Sequence, residues 1–220
     1  MGRPGATDMK PFRSVSGAAV PLLLDDVNSD QIIPSAYLKD LNADLAQGLL
    51  AYMRRSPDGV RNTGFVLEKP QYREAPILVT GANFSCGSSR EHAVWALVAF
   101  GIRCVIGTSP AELFRENCLK NGVLPVVLGA EDMAGLVARV TEVDGREPFT
   151  VDLESCEIRG PRGYRCAFQI APGERNALLE GLDDIGVTAR HLDAIQAWEA
   201  RAGKERPYLQ APIAKVRAAG

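Results

Sequence analysis

Side chains that can bind anions or move protons stand together in one short segment, residues 83–92 (NFSCGSSREH). Ser88 and Glu91 have the spacing of a capping box, which predicts that Ser88 is the N-cap of a helix and Glu91 its third residue. The first amides of a helix favour anions, and Arg90 beside them can hold both oxygens of a carboxylate. Gly87 lets the backbone approach a ligand closely. The segment therefore predicts a site for a small carboxylate.

The elements around this segment predict an α/β fold. Apolar runs indicate buried strands, and the stretches between them have the caps and spacing of helices. The predicted strands are 75–80, 103–107 and 123–128. One helix is predicted over 88–100, with Gly101 as its C-cap. A second helix is predicted to begin with a capping box, in which Ser109 is the N-cap, Pro110 stands in the first turn and Glu112 completes the box. Such β-α-β-α-β alternation is typical of a mostly parallel sheet, which binds ligands at the carboxyl ends of its strands.

The rest of the chain predicts one domain with two tails. A strand is predicted at 17–24, a turn-rich acidic loop at 25–30, a helix at 38–53, and short strands within 150–170. From Thr188 a last helix ending at Gly203 carries an apolar stripe, Leu192, Ile195 and Trp198, which we expect to lie in the core. The expected organisation is a flexible tail over 1–9, a single domain over 10–203 and an extended tail over 204–220.

Composition excludes several classes of protein. The 220 residues are 46% hydrophobic and 24% charged, the balance of an ordinary globular domain. A net charge of −2 gives no overall attraction to nucleic acid or to anionic membranes, and no apolar run is long enough to cross a bilayer. The 5 cysteines lack any Cys-x-x-Cys, which disfavours zinc, thioredoxin-like and disulfide frameworks. We expect a cytoplasmic protein that binds neither nucleic acid nor membrane.

Two other interpretations of residues 83–92 remain open at this point. On spacing alone, a well-capped helix with a surface arginine is favoured, with Glu91 serving as a cap rather than as a catalytic group. Cys86 and His92 could instead form a thiol nucleophile and its base, although a half-buried inert cysteine is the commoner case.

Residues 81–93 resemble the Gly-Ser-Ser-Arg-Glu-His motif of the swivelling domain of the aconitase superfamily, and in particular its 3-isopropylmalate dehydratase small-subunit family. Further segments are similar to that family in the same order, over about residues 10–195. These segments are 28–34 (NSDQIIP), 37–39 (YLK), 65–67 (FVL), 117–125 (NCLKNGVLP) and 178–186 (LLEGLDDIG).

The resemblance implies a swivelling β/β/α domain that serves as the small subunit of a two-chain hydro-lyase. Such an enzyme isomerises 2-isopropylmalate by dehydration and rehydration in leucine biosynthesis, and its large partner subunit carries a [4Fe-4S] cluster. This chain itself is then expected to bind no cofactor. The implied site residues are Ser88 as catalytic base, Ser89, Arg90 and Lys39 as substrate-binding groups, and Asn83, Gly87, Glu91 and Asp30 as site-shaping groups.

The energetics indicate that Ser88 needs help from the assembled enzyme. A helix N-terminus contributes about 0.3–2 kcal/mol, which lowers a hydroxyl pKa by roughly one unit. Forming an alkoxide requires far more, so Arg90 and other charges of the complete site must supply the rest. Ser88 is therefore expected to be catalytic only in the complex.

Residues 40–44 (DLNAD) depart from the family, which commonly has Arg-Thr-Gly-Phe-Gly there. The family arginine would help to bind a carboxylate, whereas an aspartate repels one; the candidates to replace it are Arg54, Arg55 and Arg61. Two alternatives follow: a paralogous hydro-lyase subunit for another 2-substituted malate or hydroxy-diacid, and a non-catalytic binding or regulatory module.

Overall fold

The computed structural model describes residues 9–39, 43–87, 90–206 and 208. Several predictions concern segments outside these ranges. Ser88 and Ser89 lie outside them, as do the first part of the departing 40–44 loop and most of both expected tails.

The secondary structure confirms the predicted order of strands and helices in the centre of the chain. The strands are β1 (Ser14–Gly17), β2 (Ala19–Leu22), β3 (Ile77–Thr80), β4 (Cys104–Gly107), β5 (Leu124–Val127), β6 (Phe149–Asp152), β7 (Glu157–Arg159) and β8 (Arg165–Ala167). The helices are α1 (Ser29–Ile32), α2 (Leu45–Gly48), α3 (Ala51–Arg54), α4 (Glu91–Phe100), α5 (Glu112–Lys120), α6 (Ala130–Val143), α7 (Pro172–Glu180), α8 (Asp184–Ala189) and α9 (Leu192–Glu205).

The strands form two sheets. A parallel sheet has the order β2-β3-β4-β5, with Leu22 beside Thr80 and Gly107 beside Val127. An antiparallel sheet has the order β1-β6-β7-β8 and contains the short strands predicted within 150–170. The predicted α/β class with a parallel β-α-β-α-β unit is confirmed.

The parallel sheet is buried on both faces, as its continuous apolar strands require. Leu78 and Val105 face a core made with α4 and α5, while Ile77 and Ile106 face a second core made with α6 and the antiparallel sheet. Because side chains alternate along a strand, β2, β3 and β4 each contribute side chains to both cores. The strand ends are thereby held in fixed register.

The prediction of a single helix over 38–53 is wrong. The structure has a 3-10 turn at Ser35–Leu38 and then two separate one-turn helices, α2 and α3. Asp44 caps α2 by accepting hydrogen bonds from the amides of Ala46 and Gln47, and Leu50 interrupts the chain with a φ of +49°. The apolar periodicity still marked buried positions, since Leu49 and Leu50 are both fully buried.

The prediction that the stripe of the last helix lies in the core is also wrong. The region contains α8 and then α9, which runs to Glu205 rather than ending at Gly203. No residue of α9 is buried, and Leu192 and Trp198 are 51% and 52% exposed. No helix in the described ranges is long and apolar enough to span a membrane.

Arg54 is a structural residue. It is only 8% exposed; its Nε donates to Glu68 Oε1 at 2.7 Å, and its Nη1 donates to the carbonyls of Ala46 and Leu49. The guanidinium also lies 5.0 Å from the centroid of the Phe100 ring, at the end of α4. These contacts commit Arg54 to holding α2 and α3 against α4.

Replacing Arg54 by alanine should lower the free energy of unfolding by about 3–5 kcal/mol, because Glu68 would be left buried without its partner. Urea unfolding followed by circular dichroism measures this. Arg61→Ala is the control, since Arg61 is exposed and lies 4.0 Å from the same carboxylate. That exposed pair should contribute less than about 1 kcal/mol, and equal losses in the two variants would contradict the assignment.

Candidate functional site

The loops that follow β2 and β3 are joined by backbone hydrogen bonds at one edge of the parallel sheet. The amide of Asp26 donates to Ala82 O at 3.0 Å, that of Cys86 donates to Val27 O at 3.2 Å, and that of Ser29 donates to Cys86 O at 3.2 Å. Because β2 and β3 are parallel neighbours, both loops leave from carboxyl ends of strands. This is the edge at which ligands of open α/β sheets bind.

Side chains reinforce the junction between the two loops. Asp25 Oδ1 accepts a hydrogen bond from the amide of Ala82 at 2.7 Å, and Asn83 Nδ2 donates to Asp26 Oδ1 at 2.8 Å. The amide of Asn83 donates to Ser109 Oγ at 3.1 Å. Asn83, predicted as a site-shaping residue, is thus fixed at this junction. The sequence did not identify its partners as site residues: Asp25 and Asp26 were expected only in an acidic, turn-rich loop, and Ser109 only at the start of a helix.

Ser109 does not cap α5, contrary to the prediction. The helix begins at Glu112 with Ala111 as N-cap, and no side chain caps it. The Ser109 hydroxyl accepts from the Asn83 amide instead. A tertiary hydrogen bond thus replaces the expected local one.

Arg90 and Asp30 meet across the junction. Arg90 Nη1 lies 2.5 Å from Asp30 Oδ1, and their side chains are 35% and 61% exposed. Asp30 sits in the first turn of α1, which Asn28 and Gln31 fix through a reciprocal capping box. The structure thus brings two of the predicted site residues together from loops far apart in sequence.

The helix after the segment begins later than predicted. Arg90, not Ser88, is the N-cap of α4, and Glu91 is its first residue rather than its third. Glu91 Oε1 accepts a hydrogen bond from Asn121 Nδ2 at 3.1 Å, which draws the carboxylate towards the end of α5. No side chain of a described residue caps α4, so none of these side chains blocks its first amides from an anion. The predicted C-cap, Gly101, is confirmed.

Phe84 and Ser85 anchor the segment from inside. The Phe84 ring packs edge-on against Phe114 with centroids 5.5 Å apart, and Phe84 O accepts from the amide of Ala111. Ser85 is fully buried, has a φ of +62°, and its hydroxyl has no hydrogen-bond partner among the described residues. This residue therefore carries both backbone strain and an unsatisfied polar group.

The remaining candidates differ in their surroundings. Gly87 has a φ of +84° and open space where a side chain would be, which suits a backbone that must approach a ligand. Lys39 is exposed and makes no ion pair or hydrogen bond with any residue that the structure describes. Arg54 cannot replace the absent loop arginine, because its guanidinium is already engaged at the opposite end of α4 from Arg90.

The geometry does not support a thiol enzyme. The Cys86 thiol donates to Asp26 O at 3.4 Å. The His92 ring packs against Trp95, with centroids 4.5 Å apart. Each candidate group is thus engaged with a different neighbour.

The cysteines of the core are poorly suited to hold a metal. Burial raises the pKa of the Cys104 and Cys118 thiols well above the ordinary value, so both stay protonated at neutral pH, whereas a metal binds the thiolate. In the described part of the chain, no group of three or more His, Cys, Asp or Glu residues is arranged to hold a metal ion.

Residues 9–131 match the family model of the aconitase C-terminal domain, which covers more than half of the chain. A 3-isopropylmalate dehydratase small subunit from Brucella anthropi is 47% identical over 201 residues, which are 91% of this chain and all of the relative. The corresponding protein of Xanthobacter autotrophicus is 48% identical over 202 residues, again 91% of this chain and all of the relative.

A solved structure shows the same architecture. The crystal structure of 3-isopropylmalate dehydratase (LeuD) from Methanocaldococcus jannaschii is 25% identical, with a TM-score of 0.60. The similarity covers 84% of this chain and 99% of that one. The swivelling-domain fold expected from the resemblance is confirmed.

Ser85→Gly should raise the free energy of unfolding by about 1–3 kcal/mol. Glycine adopts a positive φ without strain, and the change removes a buried hydroxyl that lacks a partner. Urea unfolding measures the effect. Ser85→Ala is the matched control, since it removes the hydroxyl but keeps the strain, so its gain should be smaller. A destabilised Ser85→Gly would show that the hydroxyl is satisfied in solution.

Proposed function

The chain belongs to the family of 3-isopropylmalate dehydratase small subunits, hydro-lyases of the aconitase type that act with a large subunit, and we propose a specific role for it in that reaction. It contributes the carboxylate-binding and proton-transferring half of a site that converts 2-isopropylmalate to 3-isopropylmalate. The observation that carries this role is Arg90, which stands at the start of α4 and, among the described residues, forms an ion pair with the exposed Asp30.

Arg90 is well placed to exchange Asp30 for a substrate carboxylate. Both side chains of the pair are partly exposed, and such pairs contribute only about 0–1 kcal/mol. A substrate carboxylate would gain a bidentate contact with the guanidinium and the uncapped first amides of α4. Asp30 thus orients the Arg90 side chain, and breaking the pair between them costs little free energy. Lys39 and Ser89 complete the proposed substrate-binding set, with Asn83, Gly87 and Glu91 shaping its surroundings.

Ser88 is the proposed base. Dehydration removes hydroxide from one carbon and a proton from its neighbour. Rehydration to the isomer adds hydroxide to that neighbour and a proton to the carbon that lost hydroxide. A deprotonated Ser88 Oγ would take the first proton, and the resulting hydroxyl would supply the second. Because α4 begins at Glu91, three residues beyond Ser88, and a helix end acts only over its first turn, α4 alone supplies little of the activation. Arg90 and charges contributed by the partner must supply the rest.

The [4Fe-4S] cluster is proposed to reside on the large subunit, where it would supply Lewis-acid chemistry for the loss and return of the substrate hydroxyl. This assignment is supported by the protonated core thiols and by the lack of clustered ligands in the described part of this chain. The residues of this chain then act on the other side of the substrate. They orient a carboxylate and hold the transferred proton.

A different diacid substrate is the second candidate, and one observation favours it. Asp44 caps α2 and its hydrogen bonds to Gln47 hold its carboxyl pKa below the ordinary value, so this end of the departing 40–44 loop is anionic. Arg54, one candidate to replace the absent loop arginine, is engaged by Glu68 and Phe100 instead. A substrate with a smaller or neutral group at that position would tolerate the change.

The experiment that tests the function is a two-chain assay. This chain and its cluster-bearing large subunit are purified anaerobically and supplied with 2-isopropylmalate, and the absorbance of the conjugated alkene is followed. Turnover that needs both chains is the expected result, with citrate and other 2-alkylmalates as comparisons. Turnover of only another diacid would establish the second candidate. No turnover by a stable complex with an intact cluster would leave only a non-catalytic regulatory role.

Ser88→Ala should lower kcat by several orders of magnitude and leave the affinity for the large subunit unchanged, because only the proton-transferring group is lost. Ser155→Ala, at an exposed turn of the antiparallel sheet, is the matched control and should retain full activity. Both are measured in the two-chain assay alongside a binding titration. A kcat within about tenfold of the unchanged enzyme would exclude Ser88 as the base.

A further inference from the structure

The apolar stripe of α9 is largely exposed in the part of the chain that the structure describes: Leu192 and Trp198 are exposed and Ile195 is half-buried. Leu192, Ile195 and Trp198 follow one another at helical spacing, and none of them is buried. Ile185 and Val187 of α8 are exposed as well. An amphipathic helix of this kind ordinarily buries its stripe against something. Exposed apolar groups clustered over two consecutive helices indicate an interaction surface.

The position of α9 in the chain indicates what covers it. The match to the aconitase C-terminal domain ends at residue 131, so α7, α8 and α9 lie beyond it. The match to the Brucella anthropi small subunit spans 91% of the chain, and wherever it begins it must include Leu192 to Trp198. The α9 helix thus lies outside the match to the aconitase C-terminal domain. It lies inside the match to the small subunit of Brucella anthropi, which is a separate chain.

We propose that α9 is a docking helix that holds this chain to its large subunit, an inference that rests on the proposed function. A C-terminal domain is kept beside the rest of its enzyme by the chain itself, which gives it a high effective concentration. A separate subunit lacks this connection and needs a surface that binds without it. The stripe of α9 supplies one, with Trp198 as a central anchor for an apolar groove on the partner.

The α9 helix lies apart from the edge of the parallel sheet that carries the candidate site, so it would give the large subunit a second point of contact. The α5 helix begins beside the site, where the amide of Ala111 donates to Phe84 O, and it ends at Lys120. Lys120 Nζ lies 3.4 Å from Asp184 Oδ2 of α8. Since α5 is about 13 Å long, α8 lies roughly that distance from the candidate site, and α9 continues from there. A partner bound to α9 would therefore contact this chain away from the candidate site.

The test compares two variants of the full chain. Ile195→Asp with Trp198→Ala disrupts the stripe, whereas Ala197→Asp adds the same charge on the opposite face of α9. Neither change affects a buried residue, so circular dichroism and thermal unfolding should match those of the unchanged chain. The affinity for the purified large subunit is measured by isothermal titration calorimetry. The stripe variant should bind on the order of 100-fold more weakly and the control within about threefold of the unchanged chain.

The two-chain assay separates docking from catalysis. With saturating large subunit, the stripe variant should recover the kcat of the unchanged enzyme, because α9 does not contact the substrate. Equal affinities for both variants would overturn the proposal. The proposal would also be overturned if the stripe variant lost self-association in sedimentation but kept its affinity for the large subunit. The stripe would then bind a second copy of this chain. A tight, stripe-dependent complex that turns over no 2-isopropylmalate would refute the proposed function and leave the docking helix established.

Discussion

The backbone hydrogen bonds between the loops after β2 and β3 are the interaction on which the candidate site depends. The amides of Asp26, Cys86 and Ser29 each donate across the junction, so the two loops hold one another at the edge of the sheet. Without this pairing Asp30 would have no fixed position relative to Arg90. The pairing in turn requires β2 and β3 to be parallel neighbours, which the two cores on either face of the sheet enforce.

The sequence correctly predicted that residues 83–92 follow a buried strand of a parallel sheet, but not where the next helix begins. Apolar runs and the β-α-β-α-β order suffice to place residues 83–92 at the end of a buried strand. Both predicted capping boxes failed for one physical reason. Glu91 is drawn to Asn121, and Ser109 receives the Asn83 amide, so each polar group found a partner across the fold. Local spacing cannot reveal a competing partner that is distant in sequence.

Apolar periodicity shows which side of an element avoids water, and it does not show what covers that side. In residues 38–53 the periodicity correctly indicated that Leu49 is buried. It did not indicate that Asp44 caps a new helix, or that the positive φ of Leu50 separates α2 from α3. Gly48 permits the turn to pack closely, since a side chain there would meet Ile33 and Tyr37. In α9 the same kind of stripe is present, but the described residues leave most of it exposed. Burial by a partner produces the same sequence pattern as burial in a core.

The free energies involved explain why such a chain would function only in a complex. A half-exposed Arg90–Asp30 pair contributes about 0–1 kcal/mol, and a helix N-terminus about 0.3–2 kcal/mol, which together fall far short of what a serine alkoxide requires. Strong activation within the isolated chain would need more buried charge at the edge, and unpaired buried charge is destabilising. Exposed, weakly paired groups avoid that cost and leave Arg90 able to change partners. The proposed catalytic groups are too exposed to contribute much to binding of the large subunit, so in this proposal most of the affinity comes from α9.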